Sequence, residues 1–321
     1  MRGTRLSDLV SIAVIAAALG LASSAAALGL AGHAGASGAG EPSPELLVEP
    51  AWVAAALGTP GLVVIEIGRD LYDFEAGHVP DAAYVDKAWI TREVDGVPGM
   101  LASDETMTVV LEAAGVNDTS TVVIYDESSS LWASRLFWAM ERFGFDDVHV
   151  MNGGWGQWVR LGLPVETHRP HTGDGHVTLV PDESRLAAKA WMVEHLEDPG
   201  VVMLDVRTDE EYSGARSMSE AAGRIPGAVH VEWLRALVGD GTGLFQPVEA
   251  LREIYESAGI TPDREVVAYC QVGARATHTY LALRLAGYER VRVYDGSWAE
   301  WGNDPALPVE ADGPSRRVIP R

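Results

Sequence analysis

One segment of the chain concentrates the reactive groups: Tyr269-Cys270-Gln271-Val272-Gly273-Ala274-Arg275-Ala276-Thr277-His278-Thr279-Tyr280. Cys270 is the only cysteine among 321 residues, so no intrachain disulfide can form. A free thiol is often a buried, inert group; its thiolate is the reactive form. The residues after Cys270 favour the thiolate. A short loop with Gly273 at its centre can turn several backbone N–H groups toward one point and make an anion nest. Glycine suits that turn because it takes positive φ without strain. A helix opening directly after the loop adds its positive end, and Arg275 adds a permanent cation at the loop's far side. Cys270 is therefore the candidate nucleophile, and Gln271, Val272, Gly273, Ala274 and Arg275 are the candidate anion-binding residues. His278 lies three residues past Arg275; a hydrogen bond near the pocket and a packing or capping role both remain open.

The loop needs a rigid support. Val201–Val206 and Glu265–Tyr269 are short apolar runs that read as buried strands. Thr277–Ala286 and Val248–Ala258 carry apolar residues at helical spacing. Strands alternating with helices predict an α/β fold, a parallel sheet with helices on both faces. Ligands of such sheets lie beyond the carboxyl ends of the strands, which is where Cys270 falls.

The chain also repeats itself. Pro60–Ile67 matches Pro199–Val206, with Trp52 and Trp191 preceding them at the same distance. Gly77–Val85 matches Gly223–Val231, and Val122–Tyr125 matches Val266–Tyr269. Asn152-Gly153-Gly154-Trp155 with Trp158 matches Asp295-Gly296-Ser297-Trp298 with Trp301, and each copy closes on Leu-Pro-Val-Glu. A period of about 140 residues is the size of a domain, not of a solenoid repeat. The expected organisation is a first domain over 45–167, a linker over 168–184 and a second domain over 185–311. The tryptophan pairs, at i, i+3 helical spacing, are expected to pack in the core and between the domains. Asp205 and Arg207, at a strand end, are expected to hold neighbouring loops by ion pairing.

The formal net charge of −22 argues against nucleic acid or an anionic membrane surface as a general partner. Residues 1–40 differ from the rest: Arg2 and Arg5, an apolar run from Leu9 to about Leu30, then Ala34-Gly35-Ala36. That order predicts a secretory signal, and hence a periplasmic or extracellular protein. The run is also long enough to span a bilayer at roughly 20 residues, so an uncleaved anchor is the competing expectation and the one route to a membrane.

Cys270 and Arg275 with four residues between them, after a strand, resemble the active-site loop of the rhodaneses. Leu204-Asp205-Val206-Arg207 with Glu211-Tyr212, Gly223–Ala228, and Tyr294–Trp301 are similar to that family's other signatures. The resemblance covers almost all of the chain after the export segment and implies two tandem rhodanese-like domains. It also implies a sulfurtransferase: Cys270 takes the outer sulfur of a small anionic donor such as thiosulfate, sulfite leaves, and a thiophilic acceptor (cyanide or a thiol) removes the sulfur from a persulfide. Arg275 and the loop N–H groups would hold the donor. No metal or organic cofactor is implied, and the nine histidines form no close ligand set. A tandem of this kind is similar to a dimer within one chain, so a monomer is expected.

In the family the first copy is usually inactive, and here Tyr125 is followed by Asp126 where Tyr269 is followed by Cys270. Its loop, Asp126–Leu131, lacks the arginine and is one residue longer, so the first domain is expected to wall one side of the cleft. In mammalian-type relatives an arginine stands where this chain has Glu211, so no donor contact carries over to that position. Mercaptopyruvate-preferring relatives have a Gly-Ser pair after the cysteine and no arginine at the loop's end. Gln271-Val272 and Arg275 are more similar to the thiosulfate type, with 3-mercaptopyruvate as the alternative donor. A cysteine phosphatase of the same fold would carry five residues between cysteine and arginine. A non-catalytic persulfide carrier or sensor is the remaining alternative.

Overall fold

The computed structural model describes residues 46–167 and 173–312. The expected export segment, 1–40, lies outside these residues, as do positions 168–172 of the expected linker.

The first copy contains β1 (Leu47–Val48), α1 (Pro50–Ala56), β2 (Leu62–Ile67), α2 (Leu71–Ala76), β3 (Ala83–Val85), β4 (Thr91–Val94), β5 (Val97–Leu101), α3 (Asp104–Ala113), β6 (Thr121–Tyr125), α4 (Leu131–Arg142), β7 (Val148–Met151) and α5 (Gly154–Arg160). The second contains β8 (Leu186–Ala187), α6 (Lys189–Glu194), β9 (Val201–Asp205), α7 (Asp209–Ser213), β10 (Val229–His230), α8 (Val248–Ser257), β11 (Glu265–Tyr269), α9 (Ala274–Leu285), β12 (Val291–Tyr294) and α10 (Ser297–Trp301). Each copy builds a five-stranded parallel sheet, in the orders β1-β7-β6-β2-β3 and β10-β9-β11-β12-β8. β4 and β5 form a separate antiparallel hairpin that sequence pattern did not suggest.

The central strands are apolar on both sides because both sheet faces are covered. β11 carries four buried residues out of five, Val266–Tyr269. One hydrophobic cluster runs through both copies: Ile65, Val122 and Leu136 of the first share it with Leu204, Val266 and Leu281 of the second. Each sheet also has an outer core of its own, around Trp158 in the first copy and around Trp298 and Trp301 in the second. The tryptophans thus pack within their own domains and not between them.

α9 starts at Ala274, three residues before the apolar period suggests. Gly273, at φ +84°, caps it, and α9 is buried on almost every side. A helix without a solvated face shows no amphipathic boundary to read. α4 of the first copy packs against it. The segment after residue 172 lies along the first copy: Gly175 N–H donates to Glu112 O (3.0 Å) and Val180 N–H to Phe143 O (3.0 Å).

Candidate active site

Cys270 follows the last residue of β11 and is 1 % exposed. Its N–H donates to Ser297 Oγ (3.1 Å), and its carbonyl accepts from Trp298 N–H (2.9 Å). The Gln271 carbonyl accepts from Ala299 N–H (2.9 Å). Two successive carbonyls are thus tied to the first turn of α10. The Gln271 amide donates to Ser219 Oγ (3.2 Å) in the loop before β10. Val272 is half-buried against the first copy, where a side chain at Gly99 would strike its Cβ at 2.9 Å. Ala274 opens α9 and is buried.

Gly273 is required twice over. Its φ is in the left-handed region, and a Cβ there would lie 2.8 Å from Arg135 Nη1 and 2.9 Å from Asp295 Oδ1. No side chain fits between those groups.

Arg275 stands beside Cys270 and is not a free cation. Its Nη1 donates to Glu211 Oε2 (2.7 Å) and its Nη2 to Glu211 Oε1 (2.9 Å), a two-pronged pair. Burial alone would lower the guanidinium's basicity; Glu211 and the neighbouring Cys270 raise it above the usual arginine value. Burial alone would raise the Glu211 carboxyl, but Arg275 holds it down at about 2. Glu211 also closes a capping box with Thr208 at the start of α7. Sequence pattern suggested neither this cap nor the contact of Glu211 with Arg275; the latter joins α7 and α9, which lie far apart in the chain.

Asp205 and Arg207 pair through Arg207 Nη2 and Asp205 Oδ2 (2.6 Å), both buried, and Arg207 also donates to Gly223 O (2.7 Å). Tyr269 donates to Asp205 Oδ2 (2.7 Å). These groups brace the ends of β9 and β11, as expected from their spacing. His278 is fully buried, stacked on Phe245 at 4.7 Å, and edge-on to Trp233. It packs rather than serving the pocket.

In the first copy Asp126 holds the position of Cys270. Its carboxylate accepts from the N–H groups of Ser128 (2.9 Å), Ser130 (2.8 Å), Trp132 (2.7 Å) and Ala133 (3.0 Å). Burial pushes this carboxyl up against the pull of those four donors. The loop is an anion nest that its own residue fills.

A Rhodanese-like domain is matched twice, over residues 49–161 and 188–304. The chain belongs to the rhodanese family. This tandem rhodanese is 36 % identical over 281 residues to the sulfur carrier protein TtuD of Thermus thermophilus, covering 83 % of this chain and 96 % of that one. It is 31 % identical over 271 residues to the thiosulfate sulfurtransferase of Pseudomonas aeruginosa, covering 83 % and 97 %. Among solved structures it resembles the anaerobic ergothioneine biosynthesis enzyme of Chlorobium limicola (TM-score 0.74, 25 % identity, 85 % of this chain and 72 % of that one). It also resembles YnjE (TM-score 0.74, 26 % identity, 85 % and 70 %). These relatives support a sulfurtransferase function for the rhodanese described here.

Proposed function

We propose that this rhodanese is an exported thiosulfate sulfurtransferase that works through a persulfide on Cys270. The observation that carries the reading is the contrast between two equivalent loops. One is closed by its own carboxylate, Asp126; the other presents a thiol with Arg275 beside it.

The Cys270 thiolate attacks the outer sulfur of thiosulfate. A Cys270 Sγ–S bond forms, the S–S bond of the donor breaks, and its electron pair leaves on sulfite. Cyanide or a thiolate then attacks the outer sulfur of the persulfide, and the pair returns to Cys270. Two half-reactions sharing one covalent intermediate give ping-pong kinetics. Arg275 and the N–H groups of Val272, Gly273 and Ala274 hold the donor's anionic end and the charge that develops as the S–S bond breaks. Gln271 supports the loop through Ser219 rather than touching the donor. The 1 % exposure of Cys270 favours a small donor. The rhodanese acts as a monomer and reaches its compartment through the segment over 1–40.

The test is a thiosulfate:cyanide assay, following thiocyanate, on residues 37–321 and on the same protein with Cys270→Ser. Turnover lost in the variant supports the reaction and its nucleophile. Absence of turnover in both moves 3-mercaptopyruvate forward as donor. The name of the Thermus relative favours one second reading, a carrier whose persulfide is handed to a protein partner; stable persulfidation of Cys270 without turnover on small acceptors is its signature.

A further inference from the structure

The two copies meet in a nearly isologous way: several contacts from the first to the second have a partner running back. Asn152 Oδ1, after β7, accepts from Phe245 N–H of the second copy (3.1 Å). Asp295, the equivalent residue after β12, accepts through Oδ2 from Leu101 N–H of the first copy (2.7 Å). Gly99 presses on Val272, and Gly243 presses on Ser129. α4 and α9, each twelve residues long, pack against each other. Counted from the Gly144 and Gly287 turns that follow them, Arg135 of α4 and His278 of α9 are equivalent.

The symmetry breaks in charge. Behind the first loop, which Asp126 fills, stand two neutral groups, Asn152 and His278. Behind the loop of Cys270 stand two charged ones. Arg135, fully buried, pairs with Asp295 (Nη2–Oδ1 2.6 Å) and donates to Gly99 O (2.9 Å). Its Nε and Nη1 have no hydrogen-bond partner among the described residues, and Nη1 lies 2.8 Å from where a Cβ of Gly273 would be. A buried cation with idle donors against the backbone of a reactive loop is expensive to keep, and the copy without a nucleophile lacks it.

We infer that Arg135 is a positioning residue of the Cys270 loop, supplied by the first domain, and that with Asp295 it fixes both the turn at Gly273 and the charge felt by the sulfur. The inference rests on the reading of Cys270 as the working thiol. The first domain is then a contributor to the site and not only a wall. The charged groups around that loop are Arg275 of α9 with Glu211 of α7 behind it, Arg135 of α4, and Asp295 between β12 and α10. The Asp205–Arg207 pair lies a layer further out, with Arg207 over Trp298.

The test is the pH dependence of Cys270 alkylation by iodoacetamide in the full chain, with Arg135→Gln and Asp295→Asn. Arg135→Gln leaves Asp295 unpaired beneath the loop, so the pH midpoint of alkylation should rise by about one unit. Asp295→Asn leaves the cation unpaired, so the midpoint should fall. Opposite shifts separate a charge-setting role from loosened packing, which moves both variants the same way. Shifts of one sign, or none in folded protein, overturn the inference. If either single variant fails to fold, the double variant Arg135→His with Asp295→Asn, which copies the neutral half of the interface, decides. A wild-type alkylation profile and kcat in that protein would overturn the inference; a reduced kcat with unchanged KM and a displaced profile supports it. Alkylation needs no sulfur donor, so a wild type without thiosulfate turnover would count against the proposed reaction alone.

Discussion

Arg275, the second residue of α9, and Glu211 of α7 grip each other through two parallel hydrogen bonds, 2.7 and 2.9 Å. The pair tempers the cation that would receive an anionic donor. Glu211→Gln keeps the capping box, since glutamine serves in the same place, and removes the counter-charge. The expected result is a folded enzyme with a KM for thiosulfate lowered several-fold. An unchanged or raised KM in steady-state assays would show that Arg275 does not meet the donor.

Arg275→Ala does the reverse. It removes the proposed donor contact and leaves the buried Glu211 carboxylate without its partner. Turnover should fall about 10²-fold, the usual scale for one lost charge-stabilising donor, and stability by roughly 2–3 kcal/mol for an unpaired buried charge. Adding Glu211→Gln should recover most of the stability in urea titrations and little of the rate.

Gly273→Ala combines positive φ with a clash against Arg135 and Asp295. The strain falls on the loop, so thiocyanate formation should drop at least about 100-fold, while the far-ultraviolet circular dichroism spectrum stays that of the wild type.

Two acid-sensitive groups act in different windows. His278 carries a burial-lowered value of about 3, against 6.5 when exposed. The unfolded chain takes up a proton below 6.5 that the folded one refuses until about 3. Stability is therefore full above pH 6.5 and falls on acidification, by about 2 kcal/mol at pH 5. Glu211 contributes above 4.5 and loses its contribution as pH falls toward 2. His278→Leu should flatten the curve of unfolding free energy between pH 6.5 and 4.5, and Glu211→Gln only below that. A slope in the upper window that survives His278→Leu would mean that another group titrates there.

Asp126→Ala leaves four backbone N–H groups of the first loop without their acceptor. One orphaned buried donor costs about 1–3 kcal/mol, and water entering the space left by the carboxylate offsets part of the total. A loss of about 2–4 kcal/mol is expected in denaturant unfolding, with kcat per folded molecule unchanged.

Much of this was legible in the chain itself. The duplicated anchors fixed two copies of one α/β unit, because a buried parallel strand needs an unbroken apolar run and the same runs recur in order. The solitary Cys270, the four residues before Arg275 and the glycine between them specified a reactive loop at a strand end, since local geometry suffices to make a nest. The swap of cysteine for Asp126 marked which copy could hold a nucleophile. What the sequence could not carry was partnership across distance. Glu211 stood out only as a departure from the arginine of mammalian-type relatives, and only the fold brought its carboxylate onto Arg275. Arg135 carried no signal that singled it out, and only the docking of α4 on α9 buried it against Gly273 and Asp295. Strand and helix patterns are set by neighbours a few residues away, whereas the charge around Cys270 is set by side chains that meet only when two sheets share one core.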